Sequence, residues 1–436
     1  MIKKLNTKDA LLLLFFITYF TVGYFNRSFV GLKIFDYRIG EFIVLIGFLI
    51  SIYIFITGNT FINDRKILTY FRLIIITFLL SSLLSNSSFL NTYTYKSSSY
   101  VWTVGYIFLG IYIGKFNIKK SNYFFIVCLV VLFSYIFSTG NYPNFIIDFF
   151  KEYSDKFQFT KASDSFHLII ISSLIVNFFT ESKFLQLSYL YSISFLFLPL
   201  LIYQSRGSFI GILLYLIIET FYVRRFLISE PKKTLIIFLS AIIFLGIGIY
   251  RISGKSTSEL SEEPVKVITE TSERIIENKD TVETIFSFYI DDGRLFSSDP
   301  TANWRLDIWQ DVIFDLSESG KNLIGYGYKE VIPVMVDGSA PGRLGKDGMN
   351  EHVHNYFFTT ISRGGYIHFG FFVLFYFSII RFWYLKFKNF RILSYLIPVF
   401  FVSSLDITMD GAHFPFIFFL TLGYMLSSNK SLEYKV

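Results

Sequence analysis

Long apolar runs separated by short polar breaks dominate the chain. A hydrocarbon core of about 30 Å calls for roughly 17–25 apolar residues per helix. Read with that window, the sequence predicts about twelve spans, at 9–26, 39–58, 67–85, 99–115, 123–139, 166–181, 187–204, 208–223, 234–250, 365–384, 392–406 and 412–427. The expected fold is an all-α polytopic membrane protein. The runs at 99–115, 166–181 and 392–406 are short for a full crossing. No signal-peptide cleavage pattern follows the first run, which is therefore expected as a retained helix. One long polar stretch breaks the rhythm between helices nine and ten. The chain divides accordingly into residues 1–250 with nine spans, a large and partly helical loop at 251–364, and residues 365–436 with three spans and a tail.

Patterning continues inside the loop. Residues 254–283 are polar and acidic, and predict a solvated helix plus a flexible stretch. From residue 301 apolar side chains return at helical spacing, Trp304, Ile308, Val312 and Leu316, with Thr301 or Asn303 as the expected N-cap. The NLIGYGYKE stretch predicts a turn around Gly325 and Gly327, and 337–350 is Gly-rich. His354–Arg363 predicts a short helix leading back to the membrane, ended by Gly364 and Gly365.

Composition agrees with a membrane solvent. Of 436 residues, 53% are hydrophobic and 17% charged, against about 25% charged in soluble domains. That excludes a disordered chain and a coiled coil, and makes a soluble enzyme improbable. The net charge of +7 is unevenly spread. Residues 251–352 hold eleven Lys/Arg against nineteen Asp/Glu, a net of −8, so the remainder stands at +15. With the N-terminus in the cytoplasm, inside segments carry about nineteen Lys/Arg and the short outside segments about eight. This bias predicts both termini cytoplasmic and the large loop outside. The basic balance is a topology effect and gives no case for nucleic acid. A single cysteine, Cys128, excludes an intramolecular disulfide.

Topology places several groups that can do chemistry on the outer side. Arg206 ends the seventh span in a small polar break with Ser205, Gly207 and Ser208. It is either a snorkelling anchor or an anion ligand. Arg305 lies on the amphipathic loop helix, as a solvated-face charge or a ligand. His354 and Asn355 open the returning helix, where the imidazole is either a surface group or a general base. Arg363 binds phosphate or caps the carbonyls of its own helix. Asp406, Asp410 and His413 gather at the last outer turn, which is either functional or merely solvated. Arg72 and Glu219, near inner span ends, are snorkelling or paired, and Glu41 pairs with Arg38. No metal site and no cofactor are expected; Asp291 and Asp292, adjacent rather than alternating, are the weak metal alternative.

The order of these pieces carries a resemblance. Ser205-Arg206-Gly207 follows a span; the outer loop carries Trp304-Arg305 and Trp309; Leu323-Ile324-Gly325-Tyr326-Gly327 makes the turn; and His354-Asn355 leads through Arg363-Gly364-Gly365 into the next span. Over roughly residues 165–385 the chain resembles the O-antigen ligase/polymerase family of bacterial surface-polysaccharide assembly. The resemblance implies a membrane glycosyltransferase of the GT-C type in the bacterial inner membrane. It would act at the periplasmic (or outer) face on undecaprenyl-diphosphate-linked glycans, with inversion and without a nucleotide sugar. It further implies that Arg206 and Arg305 hold the diphosphate and that His354 acts on the acceptor hydroxyl. Asn355 and Arg363 join as substrate-binding residues, and a chain-length regulator protein as partner. Two positions depart from the family: Tyr356 and Phe357 follow His-Asn, and Arg363 replaces the usual acidic residue.

The chemistry has a physical rationale. Cleaving a sugar from a lipid diphosphate leaves extra negative charge on phosphate, and two guanidinium forks neutralise it bidentately. That arrangement can stand in place of a metal. A base helps the weakly nucleophilic sugar hydroxyl, typically by 10²–10⁴-fold. The leading reading is a polymerase of O-antigen or capsular polysaccharide, joining lipid-linked repeat units; the aromatic spans favour it. The alternatives are a ligase delivering the glycan to lipid A–core and, in another class, a lipid-linked oligosaccharide flippase.

Overall fold

Helices account for most of the computed structural model, which describes residues 7–58, 64–88, 91–115, 143–157, 160–253, 288–338 and 351–427, with 127, 131, 132, 134–136, 138, 340, 343 and 344. The expected span at 123–139, the acidic stretch at 254–283 and most of 337–350 lie largely outside the described residues. Within them, five helices are long and apolar enough to cross a membrane: Ile39–Thr57, Arg65–Leu84, Lys183–Gln204, Pro231–Ile252 and Tyr356–Phe387. Thr7–Val30 and Arg206–Ser229 coincide with the first and eighth expected spans. The helix Pro231–Ser253 is the most outlying, with Leu235, Ile236, Leu239, Ile242, Ile243 and Ile247 exposed, as a lipid-facing helix requires.

The short runs give short helices. Ser99–Trp102 continues through a 3-10 turn at Thr103–Gly105 into Tyr106–Gly114. Leu393–Ser403 has eleven residues and reaches about 16 Å, half a bilayer core. Tyr106–Gly114 lies against His413–Ser427 with almost no gap: a Cβ on Gly110 would sit 2.1 Å from the Leu420 carbonyl oxygen, and one on Gly423 would sit 2.0 Å from that of Ile107. Small residues let two backbones meet in this way where lipid supplies no hydrophobic drive.

Connections fall at two ends of the bundle, and ion pairs tie them together there. At one end, Asp155 binds Lys33 (2.8 Å) and Arg38 (3.0 Å), and Lys96 binds Glu351 (2.7 Å). The expected Arg38–Glu41 pair takes another form: the Glu41 carboxylate accepts from the Arg38 backbone N–H (3.1 Å), while the Arg38 guanidinium goes to Asp155. At the other end, Arg381 binds Asp64 (3.1 Å) and Glu219 is paired, to a buried Arg391 at 2.6 Å.

The loop between the Pro231–Ser253 and Tyr356–Phe387 helices has its own small core. Ile308, Val312 and Leu316 of the helix Pro300–Glu318 pack on Ile332, Val334, Met335, Val353 and Ile361. The apolar spacing is as expected, with Trp304 only half-buried at its end. The helix starts earlier than expected. Its N-cap is Asp299, whose carboxylate accepts from the Ala302 N–H (2.7 Å), and Pro300 occupies the first turn, where its missing N–H costs nothing. Asn303 instead accepts from the Ser297 N–H (3.0 Å) and ties the helix to a hairpin of Phe288–Asp291 and Arg294–Ser297. Asp292 and Gly293 form the two-residue turn of that hairpin, both at positive φ, as the right-handed twist of paired strands demands. Arg294 and the buried Arg343 both clamp Asp307 and Asp311 of the loop helix.

The long helix Tyr356–Phe387 is broken at Gly365 (φ +73°, ψ 179°). The break frees carbonyls that must find other donors. They find the Gly-rich turn. The Tyr326 N–H donates to Ser362 O (2.8 Å), Gly327 N–H to Arg363 O (2.9 Å), and Tyr366 N–H to Asn322 O (2.8 Å). The Ser81 hydroxyl adds a bond to Arg363 O (3.1 Å). A Cβ on Gly365 would lie 2.3 Å from the Leu323 backbone, so only glycine fits.

Candidate active site

Two guanidinium groups and an imidazole chosen from sequence are assembled around the first turns of the loop helix. Ser205, in extended conformation, ends Lys183–Gln204 and caps the next helix through its hydroxyl, which accepts from the Ser208 N–H (3.3 Å). Arg206 therefore opens a helix of 24 residues. Its guanidinium reaches Asp299, the loop-helix N-cap, at 2.9 Å. The pair is partly exposed, at 45% and 21%, and an exposed pair holds only weakly, about 0–1 kcal/mol. Arg305 lies further along the same helix. It is half-buried, its Nε is without a partner among the described residues, and burial pulls its pKa down, opposed by the nearby Asp406 and Asp299 carboxylates.

His354 stands beside them. Trp304 meets its imidazole edge to face, 5.2 Å between ring centres. Its backbone is left-handed, φ +53°, a costly conformation for a residue with a Cβ, which marks the position as one held by its surroundings. Burial first, then Arg305, pushes its pKa down to about 4, against an upward pull from Asp406; Lys161 and Arg27 press it down further. The imidazole is thus neutral at pH 7. Asp406 is itself held below the usual carboxylate range despite its burial, by Ser163, Lys161 and Arg27.

Asn355 and Arg363 do other work. Asn355 is buried and is the N-cap of the returning helix, accepting from the Phe357 (2.9 Å) and Phe358 (3.2 Å) N–H groups. Trp309, stacked on Phe358, donates to the Val353 carbonyl (2.7 Å), so the loop helix fixes the segment that presents His354. Arg363 caps no carbonyl of its own helix. Its guanidinium donates to the carbonyls of Gly327 (3.2 Å) and Glu330 and to the Tyr93 hydroxyl (3.1 Å). It lines a pocket with Tyr93, Lys96, His352, Thr359 and Asp410, to which Arg305 and His354 do not contribute.

The last turn divides between two surroundings. Asp406 faces the Arg305–His354 cluster, Asp410 lines that pocket, and the buried His413 pairs with Asp164 (3.2 Å). Burial raises the Asp410 carboxyl to about 6. Sequence reasoning did not single out Lys161, Tyr93 or Lys96. Each is an ordinary polar residue in a short connection, brought to the site only by packing. Asp299 was readable, since Asp before Pro is a helix-start signal.

Fold and site together define a helical membrane protein with a cationic cluster at one end of its bundle, beside the loop helix Pro300–Glu318. Residues 191–373 match the family model described as O-antigen ligase, a stretch that holds Arg206, Arg305, His354, Asn355 and Arg363. That match supports an O-antigen ligase/polymerase family protein; the family is one of glycosyltransferase-like enzymes with lipid-linked glycan substrates. No curated protein matches the chain.

Proposed function

We propose that the protein is a polysaccharide polymerase, transferring a glycan from undecaprenyl diphosphate to the terminal sugar of another lipid-linked repeat unit at the outer face of the bacterial inner membrane. The observation that carries this reading is the convergence of Arg206, Arg305 and His354 around the start of the loop helix. The diphosphate displaces Asp299 from Arg206 and lies between Arg206 and Arg305, at the N-terminal end of the Arg206–Ser229 helix, whose dipole favours an anion. Arg305, with an unpartnered Nε, has a donor to give.

In the reaction the acceptor O–H yields its proton to His354 while its oxygen bonds to the anomeric carbon from the face opposite the diphosphate. The bond from that carbon to the phosphate oxygen breaks, and its electron pair leaves as charge on the diphosphate, against the two guanidinium groups. Inversion follows, with no covalent intermediate. In the empty site Arg305 and Lys161 depress the basicity of His354. A bound diphosphate neutralises them, so the imidazole gains proton affinity when a donor is present. The base is thereby coupled to donor occupancy. The acceptor as a second lipid-linked unit rests on the aromatic spans.

The test uses purified full-length protein with an undecaprenyl-diphosphate-linked repeat unit and no lipid A–core. The expected result is a ladder of products on a gel, absent with His354→Ala. Product appearing only after lipid A–core is added makes the protein a ligase. No product with either acceptor removes the transferase reading and favours a flippase.

A further inference from the structure

A pocket opens beside residues 351–353. It has ≈ 410 Å³ of empty space, part of it open to solvent. Tyr93 and Lys96 come from the helix Thr92–Ser97, His352 from the segment before the returning helix, Thr359 and Arg363 from that helix, and Asp410 from the last turn. Its cations are already engaged. Arg363 is fixed by two carbonyls and the Tyr93 hydroxyl, with its guanidinium 5.6 Å from the Tyr93 ring centre, and Lys96 is bound to Glu351. The pocket is therefore poorly suited to a second diphosphate.

What it offers is an acceptor. The Asp410 side chain is 3% exposed. One oxygen takes the Thr359 hydroxyl at 3.0 Å and lies 3.8 Å from His352 Nδ1. The other, Oδ1, is buried with no partner among the described residues. A buried carboxylate oxygen left bare is costly, and such a group calls for a donor from a ligand. An uncharged, hydroxyl-bearing ring meets these walls: a hydroxyl donates to Asp410 and the apolar face lies on Tyr93. His354, beside Trp304 and Arg305, is two residues from His352, which lines this pocket.

We propose that this pocket seats the acceptor sugar, with Asp410 holding a hydroxyl that does not react while the reacting hydroxyl is turned to His354. The inference rests on the transferase reading and adds to it a separate seat for the second substrate. It makes Asp410 a substrate-positioning residue, and gives Arg363 the task of holding Tyr93 and the Gly-rich turn in place.

The test is steady-state kinetics on the full chain in nanodiscs, with a long-lipid donor repeat unit and a short-lipid acceptor repeat unit varied in turn. Asp410→Asn replaces the bare acceptor oxygen by an amide at constant shape. The acceptor KM should rise about tenfold, the worth of one hydrogen bond to a charged group, with the donor KM unchanged. Tyr93→Leu removes the ring face and should raise the same constant, which covers failure of the first variant to fold. As a contrast, Arg206→Lys should raise the donor KM and lower kcat, with the acceptor KM unchanged. An acceptor KM unaltered in both pocket variants, or a donor KM rising equally, overturns the seat while the transferase reading stands. A wild-type chain that joins no units overturns both.

Discussion

At the residue scale the account turns on an imidazole kept neutral by its neighbours. His354 is pushed down to about 4 by burial and by Arg305, Lys161 and Arg27, against the pull of Asp406. A base works in its deprotonated form, so activity is present above its pKa and lost on acidification through it. The acid limb of kcat/KM for the donor, measured at saturating acceptor, should lie well below the ordinary histidine value of 6.5. Lys161→Ala removes one of the charges holding it down, and should move that limb to higher pH; an unmoved limb would show that Lys161 does not face the base. Trp304 holds the ring edge to face, so Trp304→Ala should lower kcat by about 10- to 100-fold through misplacement, with little change in donor KM. Arg206, Arg305 and His354 were legible because each sits beside residues that mark a break, a stripe or a helix start. Arg363 was expected to bind phosphate or cap its own helix, and its bonds to the carbonyls of Gly327 and Glu330 depend on the packing of the Gly-rich turn, while Asn355 opens the returning helix where the sequence put it.

At the element scale two junctions position the site. The first is the break at Gly365, where the returning helix and the Gly-rich turn exchange backbone hydrogen bonds. Gly365→Ala puts a Cβ into the Leu323 backbone and holds alanine at a glycine-only conformation, with a cost of about 1–3 kcal/mol for the conformation alone. A lower melting temperature in detergent and weaker activity should go together in this variant. The second is the buried pair of Glu219 with Arg391, reinforced by the Ser394 hydroxyl. Glu219→Ala strands a buried guanidinium and should destabilise the fold by about 3–5 kcal/mol, read by denaturation, although it lies at the end of the bundle away from the site. The loop helix and its buried stripe were readable from period alone. Its true start was misread because Thr301 and Asn303 are also good caps; Asp299 wins since Pro300 can occupy only the first turn. The hairpin partner of this helix was hidden, as Asp291-Asp292-Gly293 was considered for metal rather than for its turn.

At the scale of the whole molecule, the apolar runs gave the helices, and their lengths carried more meaning than their number. Leu393–Ser403 is half a crossing, so the turn at 404–412 is folded into the bundle, with Asp410 buried and Asp406 beside Arg305. No property of those two carboxylates in the sequence distinguishes them from a solvated turn; the shortness of the preceding run was the available sign. The fold thus brings Arg206, Arg305 and His354 and the pocket at Asp410 to one end of the bundle. The central claim is that this end breaks a sugar–diphosphate bond in step with forming a glycosidic bond. The most direct measurement counts undecaprenyl diphosphate released by the protein in proteoliposomes, against linkages formed, for the wild type, His354→Ala and an Arg206→Ala/Arg305→Ala double variant. The account predicts one released per linkage in the wild type and loss of both products together in the variants. Linkages made without release of the lipid diphosphate, or full turnover in the variants, would contradict it.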